Sequence, residues 1–322
     1  MAKLKIGIYW AASCGGCDVA IVDIHEKVLD LVAAADILFW PCAMDFKYKD
    51  VEAMPDKHLD AVLFTGAVRN SENEHLAKLL RAKSKLLVAF GACAHLGGIP
   101  GLANFTTRDA IMQTVYKDSP STQNPDGVLP RTSVKVPEGE LTIPTMYDRV
   151  RSLGQTVPVD YFVPGCPPDP AQIWAVIGVL ASGKLPPKGS VVGCSDKAMC
   201  EDCKRKKTEL KIKEFKRRHL VHVDPEICLM EQGVLCMGAA TRAGCGWRCI
   251  NANMPCRGCY GPLPNVSDHG AKILSAISAC IDSADEAEIE KILAGIPDPA
   301  GYFYRFALPT SMMGGRRQEV AP

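Results

Sequence analysis

The sequence has almost no surplus of charge: 37 Lys and Arg stand against 36 Asp and Glu over 322 residues, a formal net charge of +1. A chain so balanced gives no electrostatic reason to bind nucleic acid or an acidic membrane surface. Long apolar runs are missing too. The longest charge-free stretch, Leu86–Thr107, holds four glycines, a proline, a histidine and an asparagine, which excludes the roughly 20 predominantly apolar residues of a membrane span. The start leads into a strand-like run ending at Trp10 with no apolar leader core or small-residue cleavage site, so the expected location is the cytoplasm. None of the seven histidines has metal-ligand spacing with the cysteines; His95, two residues after Cys93, reads as a packing residue or a partner to a ligand.

What the chain does have is fifteen cysteines. In a reducing compartment clustered cysteines serve more often as metal ligands than as disulfides. At 47% hydrophobic content the chain is globular, and its length allows two domains. Lys3–Trp10, Asp36–Trp40, Leu59–Val68, Lys85–Cys93 and Val159–Val163 read as apolar strands, too continuous to be half-exposed. Asp18–Val32 carries Val19, Val22, Val28, Leu29 and Val32 at helical spacing, Glu72–Ala82 carries Leu76, Leu79 and Leu80, and Pro170–Ser182 is also helix-like. The pattern predicts an α/β doubly wound parallel sheet. Residues 117–158, rich in Pro, Ser, Thr and Asp, read as a surface excursion, and Gly183–Gly189 as a linker. The predicted domains are therefore 1–186 and 187–322. Nine cysteines fall between Cys194 and Cys259, where periodicity is poor; that stretch is expected to hide little apolar surface and to be nucleated by something inorganic.

Cys14-Gly-Gly-Cys17 follows the first strand, Phe90-Gly-Ala-Cys93 ends the fourth, and Pro164-Gly-Cys166-Pro-Pro168 follows the fifth. Carboxyl ends of strands form the ligand crevice of an open α/β sheet, so three distant segments should converge there. Four thiolates at one place suit a [4Fe–4S] cluster or a Zn(Cys)₄ site. Eight further cysteines divide into Cys200, Cys203, Cys228, Cys236 and Cys245, Cys249, Cys256, Cys259; the bacterial ferredoxin run is absent, so spacing alone permits iron–sulfur or zinc. Cys42, Cys194 and Cys280 are left as packing residues, Cys194 being the doubtful member because it lies six positions before Cys200. Lys204–Arg218, with nine Lys/Arg against two Glu, reads as a solvated face, with an electrostatic docking patch as the alternative.

These motifs resemble a known family. Cys14-Gly-Gly-Cys17, Gly91-Ala-Cys93-Ala-His-Leu-Gly97-Gly98-Ile-Pro-Gly101 and Pro164-Gly-Cys166-Pro-Pro168, followed by Cys228-Leu-Met-Glu-Gln-Gly-Val-Leu-Cys236, Thr241-Arg-Ala-Gly-Cys245 and Asn253-Met-Pro-Cys256-Arg-Gly-Cys259, are similar to those of [NiFe] hydrogenase small subunits. The likeness runs over nearly the whole chain and is greatest to the cytoplasmic, F420-non-reducing branch associated with heterodisulfide reductase. It implies a flavodoxin-like domain holding a proximal [4Fe–4S] cluster on Cys14, Cys17, Cys93 and Cys166. A medial cluster on Cys245, Cys249, Cys256 and Cys259 and a distal one on Cys200, Cys203, Cys228 and Cys236 would follow. It also implies a hydrogenase large subunit as partner, since this chain has no Asp-Pro-Cys-x-x-Cys nickel motif and should hold no nickel. Onward delivery would go to an iron–sulfur adaptor (delta) subunit and heterodisulfide reductase. An F420-reducing hydrogenase small subunit is the nearest rival, and a zinc-stabilised scaffold the rival of another class. Two departures stand out: Cys200-x-x-Cys203 replaces the His-x-x-Cys of better-known relatives, which should lower the distal potential, and Ser13 replaces a family Glu, which removes its carboxylate from any proton route.

Overall fold

The computed structural model describes residues 3–314; the outer ends of the two predicted domains, 1–2 and 315–322, lie outside it. Five parallel strands form the central sheet: β1 (Leu4–Trp10), β2 (Ala35–Phe39), β3 (Leu59–Thr65), β5 (Ser84–Phe90) and β9 (Tyr161–Val163), in the order β2-β1-β3-β5-β9. Counting only these strands, that is the 2-1-3-4-5 order of flavodoxin-like folds, with its switch point beside β1. Between and around them run β4 (Val68–Asn70), β6 (Ser133–Val136), β7 (Gly139–Thr142) and β8 (Met146–Arg151), and helices α1 (Gly16–Val22), α2 (Lys27–Ala34), α3 (Tyr48–Ala53), α4 (Ser71–Lys83), α5 (Ala92–Leu96), α6 (Arg108–Gln113) and α7 (Pro170–Ser182).

Period-two alternation puts each strand's side chains on two covered faces. Ile6, Ile8, Leu63, Val88 and Phe90 pack against Ile21, Leu31 and Ile173 of α1, α2 and α7. Tyr9, Val62, Phe64, Leu87 and Ala89 pack against Val51, Leu76 and Leu80 of α3 and α4. The parallel doubly wound sheet expected from the pattern is thus the fold of this half.

Several expectations are corrected. The helix over Asp18–Val32 is two helices, because the chain turns at His25, whose φ is 58°. Its apolar stripe points the wrong way: Val19 is 60%, Val22 56% and Leu29 71% exposed, while Ala20, Ile21, Ile24 and Leu31 face the core. The expected strand Leu59–Val68 ends at Thr65, and Val68–Asn70 joins β8 in a separate antiparallel pair. Cys93 sits in α5 rather than at a strand end. The excursion 117–158 ends early, since β8 pairs with β4 and Val150 and Leu153 are buried. The supposed linker continues along the sheet edge: Tyr161 Oη donates to the Pro186 carbonyl (2.8 Å), and Val192 N to Phe162 O (2.8 Å).

From Cys194 onward regular structure is sparse: α8 (Met199–Asp202), α9 (Arg248–Asn251), α10 (His269–Ser278), α11 (Glu286–Leu293) and α12 (Pro299–Phe303). The expectation of little hidden apolar surface fails. Ile212, Leu229, Val234 and Ile250, scattered without period, are gathered by loops under Ile273, Ile277 and Ile292 of α10 and α11.

Candidate functional site

The first cysteine set assembles where the sheet's carboxyl ends open. Cys17, on α1, has its thiol raised by burial first and then by the neighbouring sulfurs of Cys93, Cys166 and Cys14. Cys93 is pushed up to about 12 by burial, then by Cys166 and, more weakly, Cys14, against a hydrogen bond from the Ile99 backbone N–H. Cys166 is raised by burial and by Cys14. All four thiols are thus within electrostatic reach of one another. Glycine makes the approach possible: a Cβ on Gly91 (φ 88°) would lie 2.4 Å from the Cys17 sulfur, and one on Gly98 (φ 57°) 2.5 Å from that of Cys93.

The second set gathers in the irregular half. Cys200 is pushed up to about 12 by burial, then by Cys236, Cys228 and, after the opposing Lys207, Cys203. Cys236 rises to about 11 through burial, partly countered by backbone N–H groups of Gly238 and Cys256 and reinforced by Cys228 and Cys203. A Cβ on Gly238 would sit 3.2 Å from the Cys200 sulfur and 3.7 Å from that of Cys236.

In the third set, Cys245 is raised by burial, with N–H groups of Trp247 and Arg248 opposing and Cys249 adding to the rise. Cys259 is pushed up to about 12 by burial, then Cys166, Cys245 and Cys249. Cys256 is raised by burial, then by Cys236 and Cys259.

Two contacts tie the sets in a row. Cys259 is raised, after burial, first by Cys166, and Cys256 N donates to the Cys236 Sγ at 3.3 Å. The sets therefore run Cys14/17/93/166, then Cys245/249/256/259, then Cys200/203/228/236, with Cys256 facing Cys236 of the last set as well as Cys259 of its own. Among the described residues no three His, Cys, Asp or Glu side chains meet closely enough to grip a single metal ion. A tetrahedral zinc with bonds of about 2.3 Å draws its sulfurs to within roughly 4 Å of one another, whereas a cubane takes its four thiolates at separate corners. The donor chemistry, the four-thiol grouping and the glycine clearances all fit iron–sulfur clusters. The buried thiols are neutral when free, and iron would bind them as thiolates with release of protons.

The remaining cysteines flank the sets, Cys42 bonding to the neighbour of Cys17 and Cys194 lying against Gly244, next to Cys245. The Cys42 thiol donates to Asp18 Oδ1 at 3.4 Å, Cys280 donates to Ala276 O at 3.2 Å, and Cys194 is pushed up to about 11 by burial, with Arg242 opposing. His95 is a packing residue, its ring 4.9 Å from Phe162 and its charged form suppressed by burial and then by Arg242, to about 3.

Sequence reasoning missed the residues that hold the sets in place. Asp18, buried beside Cys17, accepts from Trp40 Nε1 (3.0 Å) and Thr65 Oγ1 (2.9 Å) and so locks α1 to the ends of β2 and β3. Tyr260, next to Cys259, donates from its hydroxyl to Gln172 Oε1 (2.6 Å), and Gln172 Nε2 donates to Pro164 O (3.0 Å), two residues from Cys166. Only adjacency to a cysteine motif marked Asp18 and Tyr260, and nothing in the sequence marked Gln172. Arg205, inside the run read as solvated, is buried and donates to the carbonyls of Asp224 (2.9 Å), Ile227 (2.9 Å) and Ile250 (3.1 Å) and to Asn253 Oδ1.

The chain is similar to several known proteins. The family described as NADH ubiquinone oxidoreductase, 20 Kd subunit, matches residues 14–180. The iron–sulfur subunit of the F420-non-reducing hydrogenase of Archaeoglobus profundus is 43% identical over 96% of this chain and 98% of its own length. The corresponding subunit of the F420-non-reducing hydrogenase of Methanothermobacter marburgensis is 37% identical over 97% and 96%. Among solved structures, a chain of an NAD⁺-reducing [NiFe]-hydrogenase in the H2-reduced state superposes with a TM-score of 0.50 at 29% identity over 57% of this chain and 94% of that one. A chain of the [NiFeSe] hydrogenase of Desulfovibrio vulgaris Hildenborough, at 16% identity, shares the fold over 82% of this chain and 96% of its own with a TM-score of 0.50. With motifs, sheet order and near-full-length identity in agreement, the chain belongs to the [NiFe] hydrogenase small-subunit family, among the iron–sulfur subunits of F420-non-reducing hydrogenases.

Proposed function

We propose that this chain is the electron wire of its hydrogenase, carrying electrons from hydrogen oxidation in a large-subunit partner through three [4Fe–4S] clusters. Cys14, Cys17, Cys93 and Cys166 hold the proximal cluster, Cys245, Cys249, Cys256 and Cys259 the medial, and Cys200, Cys203, Cys228 and Cys236 the distal. The single observation that carries this reading is the row of three cysteine sets, linked by the electrostatic contact of Cys166 with Cys259 and the hydrogen bond from Cys256 N to Cys236 Sγ. The clusters supply the redox chemistry; the protein sets their spacing, burial and hydrogen bonds. The flavodoxin-like domain holds the proximal cluster and extends past the expected boundary at 186 to the sheet-edge segment ending at Val192, and the part from Cys194 holds the other two clusters.

The large subunit covers the proximal end. Trp10, against Gly15, and Val19 and Val22, on the helix that carries Cys17, are exposed at that end, an apolar face that water disfavours and a partner would bury. No described helix is long and apolar enough to cross a membrane, in keeping with work in the cytoplasm. From the distal cluster electrons pass to an iron–sulfur adaptor (delta) subunit and on to heterodisulfide reductase, an acceptor consistent with relatives named F420-non-reducing. The test is elemental analysis of the anaerobically purified native complex with identification of every copurifying chain. The expected result is about twelve iron and twelve acid-labile sulfide per copy of this chain and nickel in the partner. Zinc without sulfide would contradict the proposal, and copurification with an F420-binding flavoprotein would redirect it to the F420-reducing enzyme.

A further inference from the structure

A cavity of about 480 Å³ opens in the irregular half, away from the β-sheet. That is the size of a small-molecule site. Five cations line it, Lys216, Arg217, Arg218, Arg257 and Arg305, against one carboxylate in the lining, Asp298; Lys216 pairs with Glu214 outside it, which leaves four arginines. The carboxylate is already engaged, accepting from Gly301 N at 2.9 Å as a helix cap. In a chain whose net charge is +1, this is a strong local excess of one sign.

The cations are arranged rather than merely gathered. The guanidinium of Arg257 lies 5.1 Å and that of Arg305 5.8 Å from the centre of the Tyr302 ring. The ring itself is pinned by its hydroxyl, which donates to the Leu235 carbonyl. A cation–π contact of this kind uses none of the guanidinium's N–H donors, which stay free to grip an oxyanion. Arg218 is fixed by donating from Nε to Asn253 O (2.7 Å) and from Nη1 to Val221 O (2.8 Å). Arg305 Nε is buried and has no hydrogen-bond partner, an N–H for which a ligand oxygen would compensate. Val234, Leu235, Pro255 and Ile296 supply apolar walls.

We propose that this cavity binds a small organic phosphate, its phosphate held by Arg257 and Arg305 and its body against the apolar walls. Carboxylate ligands fit less well, because four arginines exceed what one carboxylate neutralises. The site also lies against the wire, since Leu235 precedes Cys236 and Pro255 precedes Cys256. On the electron-wire reading, a bound anion there lowers the potentials of the medial and distal clusters, because added negative charge favours the oxidised form.

Binding is measured by titration calorimetry on the intact complex, with pyrophosphate and ADP as probes, for the wild type, Arg257→Gln and the charge-conserving Arg305→Lys. Both probes are expected to bind, ADP more tightly, and each substitution to weaken binding about tenfold or more. No binding at millimolar probe, or affinity unchanged in both variants, overturns the site. So does a copurifying chain whose acidic segment cross-links to Arg257 and blocks the probes, which would make the cavity a protein-docking socket. Calorimetry needs no cluster chemistry, so failure of the site and failure of the electron-wire reading are separable: a potential titration with ADP reads only the latter link.

Discussion

The two halves of the chain satisfy their backbones in different ways. Around the sheet, β1, β3 and β5 pair in continuous parallel register, and side chains mainly fill the two faces. Beyond Cys194, β-pairing among the described residues is limited to isolated bridges, and in the loops between α8–α12 polar side chains take over the ladder's role. Arg205 reaches four acceptors, Gln232 donates to the carbonyls of Asp224 and Ile227, and cysteine sulfurs accept N–H groups from Gly238, Cys256, Trp247 and Arg248. The lesson is that the sheet half offers a ligand site at the edge of a sheet that stands mainly on its two apolar faces, whereas in the other half the candidate ligands are themselves among the groups that satisfy the backbone.

Removing the iron is the hardest blow to that contrast. Chelation under oxidising conditions should abolish amide-exchange protection across residues 194–310, because metal-ligand bonds there double as cross-links, while β3 and β5 stay protected. Hydrogen exchange read by mass spectrometry decides it; simultaneous loss in both halves, or none in either, would break the distinction. A smaller effect sharpens it. Arg205→Ala leaves buried carbonyls without donors and should cost on the order of 3 kcal/mol of stability, read in thermal or denaturant unfolding. Lys206→Ala, one residue away, removes only an exposed pair with Glu226 and should leave the melting temperature unmoved.

How far the sequence could be read follows the same division. Strands of the parallel sheet were legible because burial on both faces writes continuous apolar runs, as in Leu59–Thr65. The proximal set was legible because Cys14, Cys93 and Cys166 each follow a strand, and strand ends converge. The stripe Val19, Val22, Leu29 and Val32 misled because an exposed apolar stripe has the same period as one buried in the core; only Val28 of the predicted stripe packs inward. Arg205 was hidden in a charge run, since periodicity reports apolar faces and is blind to a cation that folds back on carbonyls. The division of the last eight cysteines followed their order along the chain, and the resemblance added which cluster, medial or distal, each set would hold, because irregular loops leave no spacing rule that says which thiols meet. The seam through Tyr260 and Gln172 joins residues 88 positions apart, a contact that no local pattern encodes.

The central claim is that three separate clusters lie in series in this chain. Its most direct test is electron paramagnetic resonance of the reduced complex carrying Cys93→Ser, Cys259→Ser or Cys236→Ser, each alone. Each substitution should remove or alter one of three [4Fe–4S] signals, leave the other two, and stop hydrogen-dependent reduction of the acceptor. A substitution that changes no signal, or one that erases two together, would contradict the assignment of one cluster to each set.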